Sequence, residues 1–272
     1  MYVITGVTGK LGRVAVEDLL TRVPADEVAV VARDPRKAAD LAARGVDVRQ
    51  GDYEDPASLR TAFAGADVLL FVSSPDITPG ARPRQHGNVV DAAVATGVGR
   101  VVYTSAIGAE DAPPGFLTDH TVTEKLLADS GLPHTLLRNT FYLEALVNPG
   151  LRAAVDAGEL LGADEGAAVN FATIADLGLA ASVTLTGDGH AGRAYELRGP
   201  VWTLADLARI LSEVSGKDVA YKPVPAEEVG GAGFVHQLIA SGLFSEPSDD
   251  LEKLIGRPPA DLREAVEAAL RS

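Results

Sequence analysis

Val3-Ile4-Thr5-Gly6-Val7-Thr8-Gly9-Lys10-Leu11-Gly12 is the stretch on which the fold turns. Residues 2–5 read as a short buried strand. Leu11, Val14, Ala15, Leu19 and Leu20 then recur at helical spacing, so the glycines fall in a strand-to-helix turn. Gly6 suits the tight bend, Gly9 lets backbone N–H groups approach a pyrophosphate, and Gly12 lets the helix lie close to the strand. The unsatisfied N–H groups and positive dipole end of that helix complete an anion site. The spacing is G-x-x-G-x-x-G, a variant of the dinucleotide G-x-G-x-x-G. A nucleoside-triphosphate loop fits less well, because Ile4 and Leu11 stand where its first glycine and its magnesium-binding hydroxyl belong.

Downstream of this turn the chain keeps alternating. Strands are expected over 27–33, 46–50, 67–72, 100–104 and 134–138, and helices over 35–44, 56–63, 85–96 and 118–130. Strands that are nearly continuous in β-branched and aliphatic residues need cover on both faces, which gives an α/β fold with a doubly wound, Rossmann-like parallel sheet. Its ligand belongs at the carboxyl ends of the strands, at the switch in strand order. Residues 1–140 are expected to form this dinucleotide-binding domain.

From Phe141 the alternation breaks. A small-residue helix around 175–180, a strand at 193–197, an amphipathic helix at 203–215 capped by Thr203, and a strand at 220–224 precede a mostly helical remainder. Residues 141–272 thus read as a small, discontinuous and mainly helical α/β cap that binds substrate, with some segments returning to the main sheet.

Composition narrows the function classes. The 272 residues, 46% hydrophobic and 23% charged, suit a globular protein with a sizeable core. With no cysteine there are no disulfides, thiol nucleophiles or thiolate metal sites. A net charge of −14 argues against a nucleic-acid partner, which needs a basic surface. The first strand begins at once, and no apolar run approaches the ~20 residues of a membrane span, so a cytoplasmic protein is expected. The five histidines show no metal-ligand spacing, and no G-x-S-x-G elbow is present.

Arg33 closes the second strand, where an acidic residue would bind the ribose hydroxyls of NAD and an arginine accommodates the extra phosphate of NADP. The order Arg33 then Asp34 favours NADPH over NADH. Arg36, Lys37 and Lys10 add positive charge nearby. Asp52, after the third strand, is placed to meet the adenine, and Ser73 and Ser74, after the fourth, to flank the riboses.

These features accumulate into a family resemblance. Residues 5–12, Val31-Ala32-Arg33-Asp34-Pro35-Arg36-Lys37, Gly51-Asp52-Tyr53, Tyr103-Thr104-Ser105, residues 123–131 and Thr135-Leu136-Leu137-Arg138-Asn139 resemble the NmrA-like group of atypical short-chain dehydrogenases/reductases. Within it, the type 2 NADPH:quinone oxidoreductases are most similar, over essentially the whole chain. The resemblance implies cofactor contacts at Gly6, Val7, Thr8, Gly9, Lys10 and Leu11, at Arg33, Ser73 and Ser74, and along Arg138, Asn139, Thr140, Phe141 and Tyr142; Gly12, Asp52 and Ser105 are further expected cofactor-binding residues. It implies that Thr173 lines the acceptor site, and Phe234 is a candidate floor. Lys10 stands where glutamine is frequent, Pro75 follows the paired serines, and Thr140-Phe141 replaces a familiar Gly-Trp, changes that bear more on the acceptor than on the nucleotide.

Ordinary members of the wider superfamily protonate a carbonyl with a tyrosine four residues before a lysine; four before Lys125 stands Thr121. Without that acid, an alkoxide product is disfavoured. Hydride addition to a quinone instead gives a phenolate-like anion whose conjugate acid has a pKa of about 10. The expected activity is hydride transfer from NADPH to a quinone or similar conjugated acceptor. In it Lys125 holds the nicotinamide ribose, Asn139 and Tyr142 position ring and acceptor, and His120 is the replacement acid. Alternatives are a non-catalytic NADP sensor of the NmrA type and a reductase of another conjugated small molecule. A quinone-like substrate is the expected partner, and a homodimer is compatible with the chain.

Overall fold

The computed structural model describes residues 1–110 and 117–271. The chain divides into two compact units. The first comprises Met1–Asn139 and Leu177–Glu196, the second Thr140–Asp176 and Leu197–Ser272.

The first unit is built on β1 (Tyr2–Ile4), β2 (Val28–Ala32), β3 (Asp47–Gln50), β4 (Val68–Phe71), β5 (Arg100–Ala106) and β6 (His134–Asn139). These strands pair in parallel. With a later strand, Ala194–Leu197, they form a seven-stranded sheet of order β3-β2-β1-β4-β5-β6 followed by that strand. The order reverses between β1 and β4, which is the switch point expected of a doubly wound sheet.

Helices α1 (Lys10–Leu19), α2 (Ala39–Ala42), α3 (Pro56–Phe63), α4 (Ala81–Thr96) and α5 (Thr118–Asp129) connect these strands. Alternate strand residues feed two cores. Val3, Val31, Phe71, Val101, Tyr103 and Leu136 pack with Leu59, Phe63, Val89 and Leu127 on one side of the sheet. Every residue of β2 is buried, which explains its unbroken apolar run.

Local signals place the helix starts. Asp55 caps α3 by accepting from the N–H groups of Ala57 and Ser58, with Pro56 opening the helix. Helix α4 begins four residues earlier than its apolar pattern suggests, at Ala81, because Arg82 and Arg84 disguise the first turn. Pro83 is tolerated there because first-turn N–H groups have no intrahelical acceptor anyway.

The second unit contains α6 (Leu151–Ala157) and β7 (Glu159–Gly162), and the start of α7 (Ile174–Thr186), whose remainder belongs to the first unit. The added strand of the main sheet is β8 (Ala194–Leu197). Then follow α8 (Leu204–Ser215), β9 (Ala220–Pro223), α9 (Gly233–Ala240), α10 (Asp250–Ile255) and α11 (Leu262–Arg271). Strand β7, absent from the sequence reading, pairs in parallel with β9, so this unit has a small sheet of its own. Four residues with one Leu-Leu pair carry too little alternation to be read in advance. Thr203 and Asp206 form a full capping box at the start of α8. Among the described residues no helix is long and apolar enough to cross a membrane.

Candidate functional site

The turn after β1 takes the shape its glycines permit. Gly6 has a φ of +67°, and a Cβ there would stand 2.8 Å from Val72 Cβ. At Gly12 a Cβ would collide with the Gly6 carbonyl group, so the first turn of α1 lies directly on the end of β1. Gly9 is the N-cap of α1, and no side chain caps that terminus. The leading N–H groups of α1 are therefore open to an anion.

At the end of β2, Arg33 is exposed and, among the described residues, engages in no ion pair; the same holds for Lys10. Asp34 is occupied differently. Its carboxylate accepts from the Arg36 backbone N–H at 3.1 Å and from Arg36 Nε and Nη2, both at 2.9 Å, and these bonds hold its pKa below the ordinary value. The acid beside Arg33 is thus neutralised while Arg33 stays available, which suits a 2′-phosphate. Arg33→Ala is expected to cut the preference for NADPH over NADH by at least about tenfold, read from the two Kd values; an unchanged ratio would refute this assignment.

The ends of β3 and β4 are tied by residues that the sequence reading passed over. Tyr53 OH lies 2.6 Å from Thr5 Oγ1 and 2.7 Å from the Val72 carbonyl, and burial pushes its pKa up. The Asp52 carboxylate accepts from the Glu54 N–H at 3.0 Å and closes a local turn. Ser73 is half-buried, and its N–H donates to Thr104 Oγ1. Ser74 is a correction. It is buried, its N–H donates to His86 Nε2, its hydroxyl oxygen accepts from the Asp76 N–H, and its carbonyl holds Arg82, so it shapes the loop.

Because Ser74 donates to Nε2, His86 carries its proton on Nδ1 and donates to Thr123 Oγ1 at 2.7 Å; Thr123 in turn donates to the Asp119 carbonyl. Burial lowers the His86 pKa to about 3, helped by nearby His120 and Arg82. His120 is equally buried. Its Nδ1 lies 2.9 Å from Tyr103 OH, and burial, then Arg82, lowers its pKa to about 4. The lowered pKa favours an uncharged imidazole at neutral pH, packed in an aromatic group with Tyr103, Phe71 and His86, which suits the expected general acid poorly.

Lys125 is a second correction. Its ammonium pairs with Asp129 at 2.9 Å on a side chain 75% exposed, one position off the inward face of α5. The inward residues are His120, Thr123, Glu124 and Leu127. Glu124 accepts from Ser105 Oγ at 2.6 Å and from Arg138 Nε and Nη2 at 3.1 and 2.9 Å.

Arg138 is likewise not a free phosphate ligand. Its guanidinium meets Glu124, Glu110 and Glu196, the last at 3.3 Å. Burial opposes its charge, but the bonds from Glu124 and the other carboxylates outweigh that and raise its pKa. Asn139, next along β6, is buried, and its Oδ1 has no hydrogen-bond partner among the described residues. A buried amide oxygen left open at a strand end fits a ligand donor.

In the second unit, Thr140 Oγ1 donates to Asn170 Oδ1 at 2.8 Å, and Thr173 caps α7, its hydroxyl exchanging bonds with Asp176. Both hydroxyls are thereby committed to the fold. Phe141 is half-buried beside Phe171 and Phe244, with Trp202 packed on Phe171, while Tyr142 bridges to Ala172 and, like Phe234, is partly exposed.

Residues 6–181 match the NAD(P)H-binding family. Quinone oxidoreductase 2 of Escherichia coli is 40% identical, the match covering 98% of this chain and 97% of that protein. The NmrA-like oxidoreductase flvB of Aspergillus flavus is 29% identical over 99% of this chain and 94% of its own. Among solved structures, the Citrobacter sp. triphenylmethane reductase complexed with NADP(H) superposes with a TM-score of 0.95, at 39% identity and 99% coverage of both chains. The E. coli quinone oxidoreductase complexed with NADPH gives 0.90 at 39% identity, covering 98% of this chain and 99% of its own. The chain is an oxidoreductase of the NmrA-like, NAD(P)H-binding family.

Proposed function

We propose that this protein transfers hydride from NADPH to a quinone or comparable conjugated acceptor. The observation that carries the reading is the inward face of α5, where a neutral, tyrosine-bound His120 and an arginine-bound Glu124 leave no acid matched to an alkoxide. A quinone does not need one. Hydride brings two electrons and a hydrogen to the acceptor, and the resulting phenolate-like anion takes its proton from water.

NADPH supplies the hydride; the chain binds, orients and shields. The open N-terminus of α1 receives the pyrophosphate, Arg33 the 2′-phosphate, and Asn139 Oδ1 a donor on the nicotinamide side. Within the second unit, Phe141 with Phe171 and Phe244 forms a flat apolar group of the kind that suits a flat acceptor. Catalysis then comes from proximity and orientation.

The excess of carboxylates around Arg138 favours a second acceptor class, delocalised organic cations such as triarylmethane dyes, which end neutral after hydride uptake without any proton. Loss of 340-nm absorbance, with NADPH and a panel of quinones and cationic dyes, is the test. Turnover of neutral quinones is expected; binding of NADPH with no acceptor-dependent oxidation across the panel would leave the sensor reading in its place.

A further inference from the structure

We infer that the Glu124–Arg138 cluster sets the charge over the nicotinamide half of the site and makes the protein hold oxidised cofactor more tightly than reduced. The inference rests on the oxidoreductase reading above.

The placement follows from topology. The ligand crevice opens between β1 and β4, and Arg33 at the end of β2 takes the adenosine side, so the nicotinamide side lies over the ends of β4, β5 and β6. Ser105, one residue before the end of β5, stands opposite Arg138 of β6, both on the side where Glu124 approaches from α5. Asn139, buried with an open Oδ1, marks the same strand end as a ligand position independently of the charges.

The charges do not cancel. Even with Glu196 left aside, Arg138 faces two carboxylates, Glu110 and Glu124, so these three side chains together are net negative. Arg138 and Glu124 have side chains only 15% and 11% exposed, so solvent screens them weakly. Ser105 adds to the polarity. Its hydroxyl proton is donated to Glu124, leaving lone pairs as what it presents elsewhere.

The oxidised nicotinamide ring carries one positive charge more than the reduced ring. A net negative cluster therefore stabilises it selectively, which makes the bound couple a stronger reductant and favours hydride departure. One charge at about 10 Å, with an effective dielectric of about 20 to 40, corresponds to roughly a four- to fifteenfold difference in affinity.

The test is calorimetric Kd values for NADP+ and NADPH on the intact protein and on Glu110→Gln and Glu124→Gln. In each variant NADP+ is expected to weaken by roughly fivefold relative to NADPH, and each tenfold change in that ratio raises the bound couple by about 30 mV. A purely structural role would weaken both forms alike, so an unchanged ratio overturns the proposal while leaving the oxidoreductase reading intact. If neither form binds the unmodified protein, both fail. Should Glu124→Gln fold poorly, Glu110→Gln decides, since the Glu110 side chain is 42% exposed and its loss keeps the Ser105 bond.

Discussion

Gly12→Ala is expected to lower nucleotide affinity by at least about a hundredfold, equivalent to roughly 3 kcal/mol. The added Cβ meets backbone, the Gly6 carbonyl group and, at 3.1 Å, the Thr5 carbonyl oxygen, so relief requires α1 to move as a body. The N–H groups that face the pyrophosphate would move with it. Overpacking of this kind also costs about 1–3 kcal/mol of stability. Gly87→Ala is the control. It lies in α4, where an added Cβ would meet nothing within 4 Å, and should bind nucleotide normally while gaining about 0.5–1 kcal/mol. Titration calorimetry with NADPH and thermal melts read both outcomes; an unchanged Kd in Gly12→Ala would remove the turn from the site.

The second large effect is acid sensitivity. His86 and His120 are neutral in the fold, with pKa values lowered to about 3 and about 4, while both approach the ordinary 6.5 when the chain unfolds. Below pH 6.5 the unfolded chain therefore binds more protons, and stability falls as pH falls, down to the folded values. Each buried histidine contributes up to about 1.4 kcal/mol per pH unit, so roughly 4 kcal/mol should be lost between pH 7 and pH 5. That is a large share of a typical folding free energy of about 5–15 kcal/mol. The physical event at His86 is specific. A second ring proton would face the Ser74 N–H, replacing an acceptor with a donor in a fully buried site. Urea unfolding at pH 7, 6 and 5 measures the slope, and a flat profile over that window would contradict the buried neutral pair.

The elements that the chain made legible share a property: each depends on residues close in sequence. The glycine turn, the capped starts of α3 and α8, and the strand-end position of Arg33 are local consequences of backbone freedom, capping chemistry and alternation. The doubly wound sheet follows from the same alternation, since strands buried on both faces need helices on both sides. The strand β7 stayed hidden because its partner β9 lies far along the chain and neither carries a clear period.

The candidate site was legible only in part, and α5 shows why. A tyrosine-lysine spacing counted back from Lys125 starts from a side chain that the fold turns outward, toward Asp129. Yet His120, Thr123, Glu124 and Leu127 already stand at i, i+3, i+4 and i+7, the spacing of an inward stripe, with Val122 turned outward. Three of those four are polar, so hydrophobicity alone could not reveal the stripe. Ser74, Thr140 and Thr173 are misleading in the opposite way: their hydroxyls look available in sequence and are consumed by the fold.

By itself, then, the order of residues determined a parallel α/β sheet, a glycine turn at Gly6 to Gly12 that leads into α1 and a cation at the end of β2, because each rests on short-range geometry. Only the tertiary structure decided that Glu124 rather than Lys125 faces Ser105, that His120 is an uncharged packing residue, and that Arg138 is bound by carboxylates. The reason is rotational: a change of one residue turns a helix position by about 100°, and the packing of α5 against β5 and β6 selects which side chains enter the site.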